Sequence, residues 1–147
     1  MAEIMVRSVE RVRGAGRDER GSTLIEFAIL AMVFLLITFG AMEYGRMIFD
    51  YNVVAHAVRE GARFAAVRGA SAGPSEASAT DIKNYVANHS FGLLVPENVT
   101  VSWLPDGANT PGHRVQVAAA TTFSSDVRIL PVLSTNLHSQ TEMGIAR

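Results

Sequence analysis

The chain of 147 residues contains no cysteine. Disulfide frameworks, zinc ribbons and thiol nucleophiles are thereby excluded. An extracytoplasmic location is not, because an exported protein need not be disulfide-bonded. Lysine is nearly absent as well: of 13 basic residues, all but Lys83 are arginine. Neither sign of charge dominates, with 13 basic against 14 acidic residues and a formal charge of −1. Nucleic-acid binders carry a basic excess, so nucleic acid is not an expected partner. Proline is missing from residues 22–72, and residues 27–42 carry no charge at all. Nothing in that stretch breaks a helix, and nothing in its central part demands water.

Residues 23–42 are twenty in number and apolar except for Glu26 and two threonine hydroxyls. As an α-helix, twenty residues at about 1.5 Å each extend roughly 30 Å, the thickness of a bilayer core. Leu, Ala, Met and Phe dominate the run, and the segment is expected to span a membrane. Two other readings exist. A core helix of a soluble protein rarely needs so many consecutive apolar residues. A secretory signal peptide has a shorter apolar core ending at a small-x-small site, and "TFGAMEYG" offers only a poor one at Gly40. Arg7, Arg11, Arg13, Arg17 and Arg20 precede the run, whereas Arg46 is the single basic residue in the ten that follow. The positive-inside rule then puts the N-terminus in the cytoplasm and the C-terminal domain outside.

Beyond the apolar run, Tyr44, Met47, Ile48, Tyr51, Val54, Ala55, Val58, Gly61, Ala62 and Ala65 recur at spacings of three and four, the period of an amphipathic helix. Glu43, Arg46, Asp50, Asn52, Arg59, Glu60 and Arg63 fall on the other face. One helix of about 45 residues is expected, ended by the loop chemistry of "GASAGPS". A short helix over about 80–90 is announced by Ser78 and Asp81, spaced as a capping box, with Ile82, Tyr85, Val86 and His89 as its stripe. From Val99 the period becomes two. "VTVSWL" and "HRVQVAAATTF", joined by the turn-rich "PDGANTPG", predict a hairpin. Pro131 keeps residues 129–133 from being a central strand, and "NLHSQTEMGIA" predicts a third strand. The expected fold is α+β: a long N-terminal helix on a small antiparallel sheet, with one extra short helix.

At the upstream edge of the apolar run stand Gly21, Ser22 and, four residues later, Glu26. An arginine-bearing leader ending in glycine, followed by Glu and a charge-free run, resembles the class III signal of type IV prepilins and pseudopilins. That resemblance implies a membrane prepilin peptidase cutting between Gly21 and Ser22 and leaving the apolar helix attached. Independently of it, such a cut would create an α-ammonium on Ser22, and a helix brings residue i+4 to the same face. A carboxylate at mid-membrane costs roughly 3 kcal/mol, less near the interface, and a partner ammonium lowers that penalty. The resemblance implies that Glu26 pairs charge between subunits during assembly; the spacing only permits it. The alternative is that Glu26 snorkels to the interface and Gly21 is incidental.

Further along, Glu26-Phe27-Ala28, Phe39-Gly40, Glu43, Gly45-Arg46, Ala57, the run Arg59-Glu60-Gly61-Ala62-Arg63, and Ala65-Ala66 resemble the TadE-like family of the tight-adherence (Tad, or Flp) pilus system. Its members are minor pilins, or pseudopilins. The "REGAR" order is the most specific part, since neither helix propensity nor amphipathicity demands it, and it favours TadE over its partner TadF. Gly61, on the buried stripe, would let another backbone approach closely. Arg59, Glu60, Gly61 and Arg63 either dock the helix on its own sheet or contact neighbouring subunits. Ala41 and Gly45 form a small-xxx-small pair suited to helix contact in lipid.

No catalytic pattern accompanies these features. His56 and Glu60, at i and i+4, lack a third ligand nearby, and no phosphate loop or nucleophile elbow is present. The expectation is a non-enzymatic chain without cofactor or metal. Residues 1–21 would be a cleaved leader, 22–45 the transmembrane half of the helix, and 46–147 the extracytoplasmic domain. Partners implied by the resemblance are a prepilin peptidase, other Tad pilus subunits, the inner-membrane assembly platform and the bilayer. Its rivals are a signal-anchored binding domain that is neither processed nor assembled, and a secreted binding domain.

Overall fold

Without a proline to interrupt it, the chain forms one helix, α1, over Glu19–Ala66, 48 residues long. The computed structural model describes residues 19–125 and 134–146, with side chains from Gly21 onward. The leader up to residue 18 and the segment 129–133 lie outside the described residues. The chain divides into two compact units, residues 1–42 and 43–147.

In the first unit, α1 carries Leu24, Phe27, Leu30, Phe34, Ile37 and Met42 as exposed apolar side chains. The apolar window of this helix has none of its residues buried by protein. A core helix of a soluble protein would be mostly covered, and within this chain the helix is not. By length and composition the helix suits a membrane crossing. Thr38 turns its hydroxyl back to the carbonyl of Phe34 at 2.8 Å, which keeps it from presenting an unsatisfied donor.

In the second unit, the remainder of α1 leads through a 3₁₀ turn at Ala70–Ser75 to helix α2, Ala79–Asn88. A second 3₁₀ turn, Pro96–Asn98, precedes strand β1, Val99–Leu104. Strands β2, Arg114–Phe123, and β3, Thr135–Gly144, complete an antiparallel sheet in the order β1-β2-β3. Val117 of the central strand pairs with Val101 on one side and Thr141 on the other. The expected alternation holds: Val115, Val117 and Ala119 are buried and their neighbours along β2 are not. Val54, Ala57, Val58, Ala62 and Ala65 of α1 share one core with these residues and with Ile82 and Val86 of α2. The fold is α+β, as the change of period indicates.

The chain's end is tied back to α1. Ile145 is buried, its amide donates to the carbonyl of His113 at 2.8 Å, and the next amide, of Ala146, donates to that of Ala66 at 2.9 Å. The last helical carbonyls of α1 need partners once the i→i+4 ladder stops, and this tail supplies one. Ser90, fully buried, settles the turn after α2 in the same way. It donates to the carbonyl of Ala87 at 2.7 Å and accepts from the amide of Leu94 at 3.0 Å.

Helix α2 begins with the capping box expected from sequence. The Ser78 hydroxyl accepts from the Asp81 amide at 3.2 Å, and the Asp81 carboxylate accepts from the Ser78 amide at 3.0 Å and its hydroxyl at 2.6 Å. These hydrogen bonds from Ser78, the hydroxyl's first, hold the Asp81 carboxyl below its ordinary value of 3.8, with the field of Arg68 adding to them. A carboxyl whose folded value is depressed contributes stability that is complete above its unfolded value and disappears as pH falls through the folded one. In Ser78→Ala, acid unfolding followed by circular dichroism should lose part of its pH dependence below about pH 4. The unmodified chain keeps that slope.

Candidate functional site on the long helix

Gly21 and Ser22 lie inside α1, one turn before Glu26. Ser22 and Glu26 are exposed, and the Ser22 hydroxyl stands 3.5 Å from the Glu26 carboxylate. The two are therefore within reach along one helix face, as the spacing requires. At Gly21 a Cβ would meet no other atom within 4 Å, so the fold itself does not demand glycine there. The same is true of Gly45, and both it and Ala41 are exposed. The small-xxx-small surface faces no protein among the described residues.

Gly61 differs. It is buried, and a Cβ built on it would collide with Cγ2 of Val86 and come within 3.8 Å of Cγ1 of Val117. The missing side chain thus lets α1 approach α2 closely above the central strand. Ala57 and Ala65, one turn to either side and also buried, extend the same shallow seam. Of the "REGAR" residues, Gly61 and Ala62 thus belong to the domain's own packing. Arg59 and Arg63 point away from the core and are exposed. Arg59 donates through Nε to the carbonyl of Ala55 at 3.1 Å, and neither arginine forms a salt bridge among the described residues. Glu60 is half-buried and does not offset them. Of these residues the small ones pack within the domain, and the two arginines lie on its surface.

The structure corrects the assignment of faces at the start of the second unit. Glu43, placed on the outer face by its charge, is 5 % exposed. Tyr44, Ile48 and Tyr51, placed on the inner face by their apolarity, are exposed. Asp50 is half-buried. The inward direction of α1 is set by Val54, Ala57, Val58 and Gly61 farther along, and the unbroken helix carries that direction back to Glu43 whatever its polarity. The Glu43 carboxylate lies 3.6 Å from Arg46 Nη1, and the Arg46 guanidinium sits 5.4 Å above the ring of Phe123. The second carboxylate oxygen of Glu43 is buried without a hydrogen-bond partner. A buried charge is tolerated only when paired, and the cation–π contact helps to hold the partner in place. The i, i+3 spacing of Glu43 and Arg46 was the available signal, and it reads equally well as a solvated surface pair.

A cleft beside α2 is lined by Phe64, Arg68, Glu76, Asp81, Asn84 and Tyr85. Its groups engage one another: Phe64 stacks on Tyr85 at 4.3 Å, Arg68 covers Phe64 at 4.2 Å, and Tyr85 stacks on His89 at 4.1 Å. This is a surface ladder of rings on the domain.

Residues 21–63 match the family model described as TadE-like protein. The match opens at the glycine of the prepilin-like motif and closes on the last arginine of "REGAR". The matched segment is less than a third of the chain, and over it the protein is similar to the TadE-like family. Comparison with curated proteins and with solved structures gave no match.

Replacing Gly61 by valine should lower the unfolding free energy of the detergent-solubilised chain by about 1–3 kcal/mol through overpacking against Val86. Arg59→Ala and Arg63→Ala should each change it by no more than about 0.5 kcal/mol. Denaturant titration followed by the fluorescence of Trp103 measures all three.

Proposed function

We propose that this protein is a minor pilin, or pseudopilin, of a Tad (Flp) pilus. It inserts with its N-terminus in the cytoplasm, is trimmed by a prepilin peptidase between Gly21 and Ser22, and remains in the inner membrane through α1. It then joins pilus assembly. The observation that carries this reading is the coincidence, on one helix, of the TadE-like match over residues 21–63 with a membrane-length apolar surface that no protein covers. An apolar helix alone would equally suit a signal anchor. The match alone would not say how the chain is held.

On this reading the protein works by association and catalyses nothing. Its partners are the peptidase, other Tad pilus subunits, the assembly platform and the bilayer. After cleavage, the new ammonium on Ser22 and the carboxylate of Glu26 are one helical turn apart. The ammonium of a neighbouring chain can take the same place in a bundle, which fixes axial register between subunits. The exposed guanidinium groups of Arg59 and Arg63 offer contacts to subunits farther from the membrane.

Intact-mass spectrometry of the membrane-extracted chain should show a mature N-terminus at Ser22. That terminus should vanish when the peptidase is deleted or Gly21 is replaced by a bulky residue. An intact leader in cells with an active peptidase would instead identify an unprocessed signal anchor. Glu26→Ala should be processed as before yet assemble poorly, read as a loss of surface pili by electron microscopy. Normal piliation would reject the charge-pairing role.

A further inference from the structure

Along residues 43–51, the polarity of α1 is partly reversed. Its inward positions carry Glu43, 5 % exposed, and the half-buried Asp50, with the half-buried Met47 between them. Its outward positions carry Tyr44, Ile48, Phe49 and Tyr51, the most open being Phe49 at 63 %. From residue 52 the same helix is ordinary, with Val54, Ala57 and Val58 inside and Asn52, His56, Arg59 and Arg63 outside. A helix lying on its domain in water hides its apolar side chains and exposes its charges. The reverse arrangement suits a helix whose outer surroundings are less polar than its inner ones.

The same helix also carries exposed apolar side chains over residues 24–42. Of the charges that interrupt the run, Glu43 is turned inward, while Arg46 is exposed and reaches Glu43 and the ring of Phe123. Exposed apolar side chains therefore recur for two to three turns beyond Met42, around Arg46. Phe49 is seven residues beyond Met42, about 10 Å along the axis. The headgroup layer on each side of a bilayer is only about 5–8 Å deep. Were the hydrocarbon edge at Met42, Phe49 would stand in water.

We infer that Tyr44, Ile48, Phe49 and Tyr51 form a lipid-docking surface: the outer leaflet reaches these residues, and the extracytoplasmic domain rests on it through them. The partner is the phospholipid interface, whose mixed polarity tyrosine rings favour. The inference rests on the membrane-anchor reading. It carries a consequence at the other end of the helix. An apolar run reaching Phe49 is longer than the hydrocarbon layer, so the helix sits farther toward the cytoplasm than an edge at Met42 would place it. Glu26 then lies in the inner headgroup layer, where a carboxylate costs less than in hydrocarbon.

Because the chain has no cysteine, single-cysteine variants of the full chain can each carry one nitroxide label. Leu30, Tyr44, Ile48, Phe49, His56 and Arg59 are the positions to replace, in proteoliposomes of phosphatidylethanolamine and phosphatidylglycerol. Each label is read by its relaxation with oxygen, which concentrates in lipid, and with a water-soluble nickel chelate. The expected result is that oxygen relaxes positions 30, 44, 48 and 49 more than nickel does, with the order inverted at 56 and 59. If position 49 resembles 56 while 30 remains in lipid, the boundary is at Met42 and the inference fails with the anchor intact. If position 30 also reads as water, the anchor reading itself fails and takes the inference with it. If 44 and 49 are shielded from both reagents, a protein partner such as a second copy covers the face, and the lipid assignment is overturned.

Discussion

The close approach of α1 to α2 at Gly61 is the contact on which the second unit depends. A side chain at this position would strike Val86, and Val86 and Val117 are both fully buried. The helix supplies mostly small residues to the seam, with Ala57, Gly61, Ala62 and Ala65 beside the larger Val54 and Val58. Small residues contribute little apolar area each, so the seam gains its stability from fit, through many short dispersion contacts at interior density. The sheet and α2 provide the larger members, Ile82, Val86, Val115 and Val117. A domain of about a hundred residues has little core to spare, which makes the complementarity of this one seam decisive.

That docking also sets which side of α1 faces inward, back to Glu43 at the start of the second unit. Glu43 and Asp50 are turned in and Tyr44, Ile48 and Phe49 are turned out because Gly61 and Val58 are turned in. Burying Glu43 is unfavourable by itself. The pairing with Arg46, and the position of Arg46 over Phe123, reduce the penalty. An outer face of aromatic and aliphatic side chains in turn suits a leaflet better than it suits water. Packing thus fixes the inward face of this stretch and leaves most of its apolar side chains outside.

Much of this was legible in the primary structure. Twenty nearly uncharged residues without proline announce a membrane-length helix. Ser78 and Asp81 announce the start of α2, and the period-two runs from Val99 announce the strands, because each signal acts over a few neighbouring residues. The prepilin-like glycine and the "REGAR" order were equally visible, since motifs are local by nature. The inward side of α1 near Glu43 was not. Polarity was taken as a guide to direction there, and that guide assumes water outside and an apolar interior. Where lipid replaces water the rule inverts, and the letters of the sequence do not say which medium applies.

The role of Gly61 shows the same division. Its position on the apolar stripe was readable, but the atom that excludes a Cβ belongs to Val86, twenty-five residues later on another helix. The sequence by itself determined the length, period and ends of each element, since these follow from backbone hydrogen bonding and neighbouring side chains. Only the tertiary structure decided which face of the long helix turns inward and which glycine lies against another helix, since those are settled by contacts between residues far apart along the chain.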